Sequence, residues 1–327
     1  MIKKPLLIVA GEPYSVFSEL FLKIYSKKIK KINIPIILIV SKKLFHKQMK
    51  KLNYSYKIRD IKINDILKKK IDNQKINIID IKFKFNKAFD KITDRSNNYI
   101  KKSFDAALDL LKNKKAIGMI NGPISKKHFL KNKFLGITEY LSKKTKSKNN
   151  EVMLIYNSKL SVSPITTHLP LKKVSKNINK KKIINNVKLI NSFYDEILKK
   201  KPSIAVLGLN PHCETNDRFS EENKFIKPAI QYLKNIKINI QGPFSADTIF
   251  LKQNTKKFNL IIGMYHDQVL TPIKTIYGFD AVNITIGLPF LRISPDHGPN
   301  NQMIGKKVSN PESLYNSINF FKKFNES

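Results

Sequence analysis

Residues 260–268 read LIIGMYHDQ, an apolar run that ends in polar side chains, among them His266 and Asp267. Residues 260–262 with the glycine after them have the pattern of a short strand buried on both faces. Such strands belong to parallel sheets, and open α/β sheets bind their ligands at the carboxyl ends of the strands. The stretch therefore predicts a parallel α/β fold with candidate site residues at a strand end.

The same alternation of strand-like and helix-like segments extends along most of the chain. Helices are predicted over 96–112 and 178–198 from their apolar spacing, and strands follow them at 116–120 and 203–209. The segments IKINI (236–240), SADTIFLK (245–252) and FNLIIG (258–263) continue the alternation. The last helix is predicted to begin at Asn310-Pro311-Glu312, a cap with proline at the first position. Together these segments predict an α/β protein with a largely parallel sheet.

Length and composition predict a globular chain of two lobes. It has 327 residues, 41% of them hydrophobic, with only 11 glycines and 15 prolines. A single cysteine, Cys213, excludes an intrachain disulfide and fits a reducing compartment. The apolar run near the N-terminus is too short for a signal peptide, and residues 34–40 are strand-sized rather than membrane-spanning. We therefore expect a soluble, cytoplasmic protein.

The net charge of +38 is a separate feature that invites a nucleic-acid partner. However, the lysines are spread over nearly every segment together with isoleucine and asparagine, and these residues share A/T-rich codons. No zinc-finger spacing or RNP-like motif accompanies them. Genome composition explains the bias without a partner, so no specific nucleic-acid binding is expected, while a local basic funnel for anionic substrates remains compatible with it.

Three of the six histidines share one context, because each follows a strand-like run and sits among loop-forming residues. They are His168, His212 and His266. Imidazole is a good ligand for zinc and related divalent ions, and three of them leave a coordination position open for substrate. The alternative is three unrelated loop histidines, since no local HxxxH spacing connects them. His46 and His128 lie in lysine-rich surroundings and are expected at the surface.

Several longer motifs occur in one order along the chain and together resemble the 4-hydroxythreonine-4-phosphate dehydrogenase family. They are TTHLPLKKV (166–174), GLNPHCETN (208–216), GPFSADTIF (242–250), YHDQVLTPIK (265–274) and AVNITIGLPFLRISPDHG (281–298). NGPISK (121–126), GITEYL (136–141) and the opening strand with GEP extend the resemblance toward the N-terminus. It therefore covers most of the chain.

The resemblance implies a two-lobed α/β fold like that of isocitrate and isopropylmalate dehydrogenases, with a mainly parallel sheet and a central cleft. The lobes are expected at 1–125 plus 258–327, on the cofactor side, and at 126–257, with the metal ligands and the dimer contact. NAD or NADP would oxidise C3 of 4-phosphooxy-L-threonine, and decarboxylation would give 3-amino-2-oxopropyl phosphate for pyridoxine 5'-phosphate biosynthesis.

The resemblance also assigns roles to individual residues of a homodimer with shared active sites. His168 and His212 of one chain and His266 of the other would hold a divalent metal, and three imidazoles accept zinc, cobalt, manganese or magnesium. The catalytic candidates are Asp247 and Asp267, which could orient ligands or move protons. Asp247 could equally be a helix cap. The substrate-binding positions map onto Thr138, Lys274, Asn283 and Arg292.

The chain departs from the family pattern in three places. GEPYSVFSE (11–19) replaces a glycine-rich loop that resembles GDPAGIGPE, and Ile137-Thr138 stands where the family has His-Thr. PNNQMIGK (299–306) replaces TAFDIAGK after the Asp-His-Gly motif, in the segment where the family binds its cofactor. No cofactor-binding residue is therefore assigned, and no G-x-G-x-x-G is present.

Two alternatives remain open besides the dehydrogenase itself. Ile137 favours a paralogue that oxidises a related hydroxy acid, and the high charge favours a basic nucleic-acid-binding protein on a retired enzyme scaffold. Cys213 replaces a small residue beside His212. It either fills space there or makes the site sensitive to oxidation.

Overall fold

A computed structural model describes residues 2–131, 133–147, 151–213, 218–278, 280–295 and 299–325. The chain forms two compact units, Met1–Lys146 with Leu288–Ser327, and Ser147–Gly287. The strands of the described residues are β1 (Leu6–Val9), β2 (Ile36–Val40), β3 (Ile58–Asp60), β4 (Ile76–Asp80), β5 (Gly118–Asn121), β6 (Val152–Tyr156), β7 (Ser161–Thr166), β8 (Ile204–Leu207), β9 (Ile240–Phe244), β10 (Leu260–Tyr265), β11 (Val282–Ile286) and β12 (Leu291–Pro295).

The α-helices lie mostly between these strands. They are α1 (Phe17–Tyr25), α2 (Lys42–Lys51), α3 (Asn97–Lys112), α4 (Ile137–Thr145), α5 (Lys180–Glu196), α6 (Lys227–Asn235), α7 (Lys252–Thr255), α8 (His266–Tyr277) and α9 (Glu312–Asn325). Within the described residues, no helix combines the length and the apolar character that crossing a membrane requires.

The first unit is built on parallel strands in the order β3-β4-β2-β1-β5-β12. Apolar side chains of β1 and β2 pack with one face of α3, where Ile100, Phe104 and Ala107 are fully buried. The chain leaves β1 toward β2 on one side, while β5 lies on the other side of β1. Such a change of direction opens a crevice at the carboxyl ends of the two strands, which is the usual ligand position in open α/β sheets.

The second unit has the strand order β11-β6-β7-β10-β8-β9. The pairs β11·β6 and β6·β7 are antiparallel, and β7, β10, β8 and β9 run parallel to one another. Buried residues of β7, β8 and β10 form the core with Val269, Leu270 and Ile273 of α8. β10 lies between β7 and β8, so the carboxyl ends of three parallel strands are neighbours at one edge.

The element predictions are confirmed in most of the chain. The predicted helices at 96–112 and 178–198 correspond to α3 and α5, and the apolar run in 260–268 is β10. The side chain of Asn310 accepts a hydrogen bond from the backbone N–H of Glu312 at 2.9 Å, so the predicted cap of the last helix is also present.

One segment differs. Residues 245–251 form turns and bends, and only the four residues of α7 that follow are helical. The alternation of strand-like and helix-like segments therefore does not hold for SADTIFLK, which forms no regular helix before residue 252. The side chain of Asn254 donates to the carbonyl of Thr248 at 2.9 Å and closes this turn region, which competes with a continuous helix.

Candidate active site

The three candidate metal ligands follow the carboxyl ends of three neighbouring parallel strands of the second unit. His168 lies two residues after β7, His266 directly after β10, and His212 in a short turn, Pro211–Cys213, after β8. The order of these strands is β7-β10-β8, so His266 stands on the middle strand. The sheet topology thus brings all three strand ends to one edge, as expected from their shared sequence context.

His168 and His266 are the two histidines that the fold brings together within one chain. Their ring centroids are 6.0 Å apart, at an interplanar angle of 37°. Two imidazoles that bind one zinc ion at about 2.0–2.1 Å have ring centres roughly 5–6 Å apart, so this spacing suits a shared ion. Among the described residues, no group of three or more histidine, cysteine, aspartate or glutamate side chains is arranged to hold a metal ion.

Each of two histidines also has an aspartate near its Nδ1 atom. Nδ1 of His266 lies 2.7 Å from Oδ1 of Asp267, and Nδ1 of His212 lies 3.9 Å from Oδ2 of Asp247. A carboxylate on one ring nitrogen fixes the tautomer and leaves the other nitrogen, Nε2, available to a ligand. The 2.7 Å contact of Asp267 therefore orients His266 as a metal ligand, whereas 3.9 Å is too long for a hydrogen bond between His212 and Asp247.

The backbone at two of the histidines adopts a conformation that most residues avoid. His168 has φ 53° and His212 has φ 57°, both in the left-handed region, and Cys213 follows with φ 57°. Non-glycine residues there cost about 1–3 kcal/mol each and persist where the surrounding structure holds them. The same conformation also occurs at eight other non-glycine residues of the described part of the chain, so it does not by itself mark a functional site.

A buried carboxylate holds the loop that leads to His212. Glu222 is 1% exposed and accepts hydrogen bonds from the backbone N–H groups of Leu209 (2.7 Å) and Asn210 (2.9 Å). Burial alone would raise the pKa of Glu222, but these hydrogen bonds and one from the Asn210 side chain outweigh it, so its pKa is lowered. Glu222 is therefore ionised at neutral pH and orders this loop.

Asp247 lies between β9 and α7, in the turn region, and is not the cap of a helix. The helix-cap interpretation of this residue was therefore wrong. The Ser245 hydroxyl nearby, followed by smaller contributions that include the charge of His212, lowers the pKa of Asp247. Asp247 is thus an exposed carboxylate that faces His212.

Cys213 is half-buried and packs against the strand end before it. A Cβ atom on Gly208 would lie 2.5 Å from Sγ of Cys213, so the sulfur fills the space that the missing side chain leaves. This contact supports the space-filling role for Cys213.

The two candidate substrate residues of the second unit lie on α8 and β11. Lys274 is on the solvent-exposed side of α8, two turns after His266, and Asn283 is half-buried on β11. The other two candidates, Thr138 and Arg292, belong to the first unit.

Arg292 and Thr138 meet within the first unit. Arg292 is on β12 and is only 1% exposed, and its Nη1 donates to Oγ1 of Thr138 at 3.2 Å. Its Nε donates to Oδ1 of Asn121 at 2.7 Å. Burial lowers the pKa of Arg292 to about 10, against the opposing charge of Glu139, so the guanidinium stays charged at neutral pH. A buried, oriented cation of this kind is suited to a phosphate or carboxylate ligand.

Asn121 is a further candidate site residue, which the sequence pattern did not single out. It is the last residue of β5, which pairs with β12 so that Met119 lies opposite Arg292. The available signal was a polar side chain at the end of a buried strand, the same pattern that singled out His266. NGPISK (121–126) belongs to the family resemblance, which assigns no role to its first residue.

A cavity of about 680 Å³ opens in the first unit beside the loop after β5. It is lined by Ile92, Ile124, Ser125, Lys126, Lys127, Pro299, Asn300, Gln302 and Met303. Its volume is that of a small-molecule site, and its lining combines apolar surface with lysine side chains suited to phosphate groups. The cavity is therefore a candidate site for a phosphorylated small molecule.

The loop after β1 carries a buried carboxyl group. Glu12 is 1% exposed, and its backbone N–H donates to the carbonyl of Pro123 at 2.8 Å, which joins the loops after β1 and β5. Burial raises the pKa of Glu12 to about 7, although Ser96 and His128 act in the opposite direction. Glu12 is thus near half-ionised at neutral pH.

Some residues of the quoted motifs lie outside the described residues. They are Glu214, Thr215 and Asn216 of GLNPHCETN, and Asp296, His297 and Gly298 before PNNQMIGK.

The fold is an α/β fold of the kind that isocitrate dehydrogenase also has. The solved isocitrate dehydrogenase of Methylococcus capsulatus matches all of this chain and 86% of its own, with a TM-score of 0.51 at 7% identity, a likeness of fold alone. A family model described as pyridoxal phosphate biosynthetic protein PdxA matches residues 31–321. The chain belongs to the PdxA family, and it is an oxidoreductase of the dehydrogenase type.

Individual relatives give the same family. The chain is 39% identical over 318 residues, 96% of both chains, to the 4-hydroxythreonine-4-phosphate dehydrogenase of Sulfurihydrogenibium sp.. It is 35% identical over 184 residues, 56% of both chains, to the D-threonate 4-phosphate dehydrogenase of Pectobacterium atrosepticum. The crystal structure of 4-hydroxythreonine-4-phosphate dehydrogenase from Klebsiella pneumoniae, at 24% identity, has a TM-score of 0.84 over 98% of this chain and 99% of that one. The predicted fold class and the family resemblance are thereby confirmed.

Proposed function

We propose that this protein oxidises 4-phosphooxy-L-threonine at C3 with NAD and releases 3-amino-2-oxopropyl phosphate and carbon dioxide, in pyridoxine 5'-phosphate biosynthesis. The observation that carries the proposal is the 39% identity, over 96% of both chains, to a relative named for this activity. Fold likeness alone would not identify a substrate.

The substrate contacts are assigned to the positions that the family resemblance gives. Arg292, held by Asn121 and Thr138, offers a buried guanidinium to the phosphate or the carboxylate. Lys274 adds an exposed point charge, and the Asn283 amide supplies a hydrogen-bonding group. These contacts would hold the substrate without taking part in bond breaking.

The chemistry consists of two balanced steps. A base would take the proton of the C3 hydroxyl and bound NAD would accept the hydride of C3, so that a β-keto acid and NADH would result. The C–C bond to the carboxylate then breaks, carbon dioxide leaves, and the carbon that retains the electron pair takes up a proton. Asp247 and Asp267 are the candidate groups that accept and return these protons.

A divalent metal ion on His168, His212 and His266 would polarise the C3 oxygen and stabilise negative charge on it in both steps. The 6.0 Å separation of the His168 and His266 rings and the carboxylate beside His266 support this ligand set. We further propose that the protein is a homodimer whose sites use histidines of both chains.

The nucleotide is assigned to the cavity beside the loop after β5. Lys126 and Lys127 would meet the phosphates, and the apolar surface of Ile92 and Ile124 would lie against a ring. The departure of PNNQMIGK from the family pattern falls on the same cavity, which is lined by Asn300, Gln302 and Met303.

A second candidate function is the oxidation of a related phosphorylated hydroxy acid that lacks the amine. Ile137 stands where the family has a histidine, and one relative at 35% identity is named D-threonate 4-phosphate dehydrogenase.

The test is NADH formation by the purified, metal-loaded protein with 4-phosphooxy-L-threonine and, separately, with D-threonate 4-phosphate. A kcat/KM at least tenfold higher for the first substrate is expected. The reverse ratio would establish the second candidate, and no turnover of either would refute both.

A further inference from the structure

Two side chains join the three strand ends that carry the histidines. Thr166, the last residue of β7, donates through Oγ1 to the carbonyl of Met264 in β10 at 2.7 Å. Gln268, in the first turn of α8, donates through Nε2 to the carbonyl of Gly208 at 2.8 Å, directly after β8. Oε1 of Gln268 also accepts from the backbone N–H of Met264 at 2.7 Å. Both backbone groups of Met264 are therefore hydrogen-bonded to side chains, the carbonyl to Thr166 and the N–H to Gln268.

These contacts lie close to the candidate ligands in the chain. Thr166 precedes His168 by two residues, and Gln268 follows His266 by two. Gly208 precedes His212 by four. The Thr166 hydrogen bond thus connects the end of β7 to β10, and the bond from Gln268 to Gly208 connects the start of α8, directly after β10, to the end of β8.

The local chemistry leaves these side chains one orientation. A backbone N–H can only donate and a carbonyl can only accept, so the Gln268 amide must point its oxygen to Met264 and its nitrogen to Gly208. The glycine at 263 keeps the space open, because a Cβ there would lie 3.1 Å from Oε1 of Gln268 and 2.5 Å from Cγ1 of Val269. Thr166 is 2% exposed, so its hydroxyl has no competing water.

We propose that Thr166 and Gln268 are positioning residues that hold the histidine-bearing strand ends in place and so raise the affinity of the histidines for a metal ion. The inference rests on the metal site of the proposed function. Neither side chain needs to touch the ion, since supporting hydrogen bonds hold ligands in place and their loss typically weakens binding by about 10- to 100-fold.

The test is Zn²⁺ binding to the metal-free protein, measured by titration calorimetry against a competing chelator. Gln268→Met keeps the length of the side chain and removes both hydrogen bonds, and Thr166→Val keeps the shape and removes one. Each should bind Zn²⁺ about tenfold more weakly. Thr166→Ser retains the hydroxyl and should restore the affinity, which a purely space-filling role of the threonine methyl would not predict.

Two matched variants control for general loosening of the fold. Gln48→Met removes another buried glutamine that bridges backbone carbonyls, those of Pro13 and Ala88, in the first unit. Ser163→Ala removes a hydroxyl of β7 that donates to Met153 at 2.6 Å and does not join histidine-bearing strands. Both should lower thermal stability and leave Zn²⁺ affinity unchanged.

The outcomes separate this inference from the proposed function. If His168→Ala and His266→Ala lose Zn²⁺ binding while Gln268→Met and Thr166→Val keep it, the positioning role is wrong and the metal site stands. If the histidine variants bind Zn²⁺ like the wild type, the metal site itself is wrong. If Gln48→Met and Ser163→Ala weaken binding as much as the test variants, stability rather than positioning controls the affinity and the inference fails.

Discussion

Nε of Arg292 lies 2.7 Å from Oδ1 of Asn121, and both side chains are almost completely buried. Asn121 is the last residue of β5, and Arg292 lies on β12, the neighbouring parallel strand of the first unit. The amide oxygen is neutral, so it orients the guanidinium without adding a negative charge beside it. This arrangement leads to the first two predictions.

Arg292→Ala and, separately, Lys274→Ala should weaken binding of the phosphorylated substrate much more than binding of NAD. A charge-assisted hydrogen bond contributes about 1.5–3 kcal/mol, so the KM of the substrate should rise tenfold or more in each variant. Steady-state kinetics with both substrates varied checks this. An equal loss for a substrate analogue without phosphate would assign these residues to the carboxylate, and no loss would remove them from the site.

Asn121→Asp should raise the KM for substrate about tenfold and leave the KM for NAD unchanged, because an added carboxylate neutralises Arg292. Thermal melting checks that the fold is kept. Asn77→Asp is the matched control, since Asn77 is also a buried strand asparagine and donates to Ile36 and Asp72 carbonyls instead. A change of both KM values in parallel would show that Asn121 acts only on stability.

Removal of divalent metal by a chelator should abolish turnover, and re-addition of Zn²⁺, Co²⁺, Mn²⁺ or Mg²⁺ should restore it. The reason is that the proposed reaction develops negative charge on the C3 oxygen, which the ion would stabilise. Activity is measured as NADH formation, with the metal content determined by elemental analysis. Full activity in protein shown to be metal-free would refute the three-histidine site.

Mixing inactive variants should reveal which histidines of one site come from the same chain. His168→Ala, His212→Ala and His266→Ala homodimers are mixed in pairs, with heterodimers verified by mass spectrometry. Two ligands from different chains leave one intact site in each heterodimer, so activity returns to roughly a quarter of wild type. If the two mutated histidines of a site come from the same chain, every site of the heterodimer carries one substitution, and the mixture stays inactive.

The outcome of the mixing experiment depends on the pair. The family resemblance assigns His266 to the partner chain, whereas the 6.0 Å separation of the His168 and His266 rings favours those two in one chain. If His168 and His266 of a site belong to one chain and His212 to the other, the mixture of His168→Ala with His266→Ala stays inactive. The two mixtures that contain His212→Ala then recover activity. Inactivity of all three mixtures would refute a shared site.

Glu12→Gln should stabilise the protein relative to wild type increasingly as the pH rises. The folded pKa of about 7 lies above the ordinary value of 4.5, so the fold favours the protonated carboxyl. Its contribution is fully present below about pH 4.5 and is lost as the pH rises to about 7. Urea unfolding gives the free energy of unfolding of variant and wild type. The difference between the two should grow by on the order of 2–3 kcal/mol from pH 5 to pH 8. Glu196→Gln, at an exposed glutamate, is the control, and its difference from wild type should be the same at both pH values. A constant difference for Glu12→Gln would contradict the raised pKa of Glu12.

The sequence alone was sufficient for the parallel α/β class, for most elements and for the candidate residues. Buried strands have continuous apolar runs, and helices have a distinct spacing, so both patterns are local properties of the chain. Polar residues directly after such strands, as at His266, indicate a site because strand ends meet at one edge. Over 245–252 the local pattern was insufficient, since a side-chain contact of Asn254 closes a turn there.

Tertiary structure alone decided which of these residues meet. Asn121 and Arg292 are 171 residues apart, and only the pairing of β5 with β12 makes them neighbours. Likewise His168 and His266 come together because β10 inserts between β7 and β8, an order that hydrophobic spacing does not encode. Burial of Arg292, and with it the lowered pKa and the fixed direction of its charge, also depends on packing around the folded strand. Local sequence patterns specify elements, whereas contacts between remote side chains depend on strand order and packing.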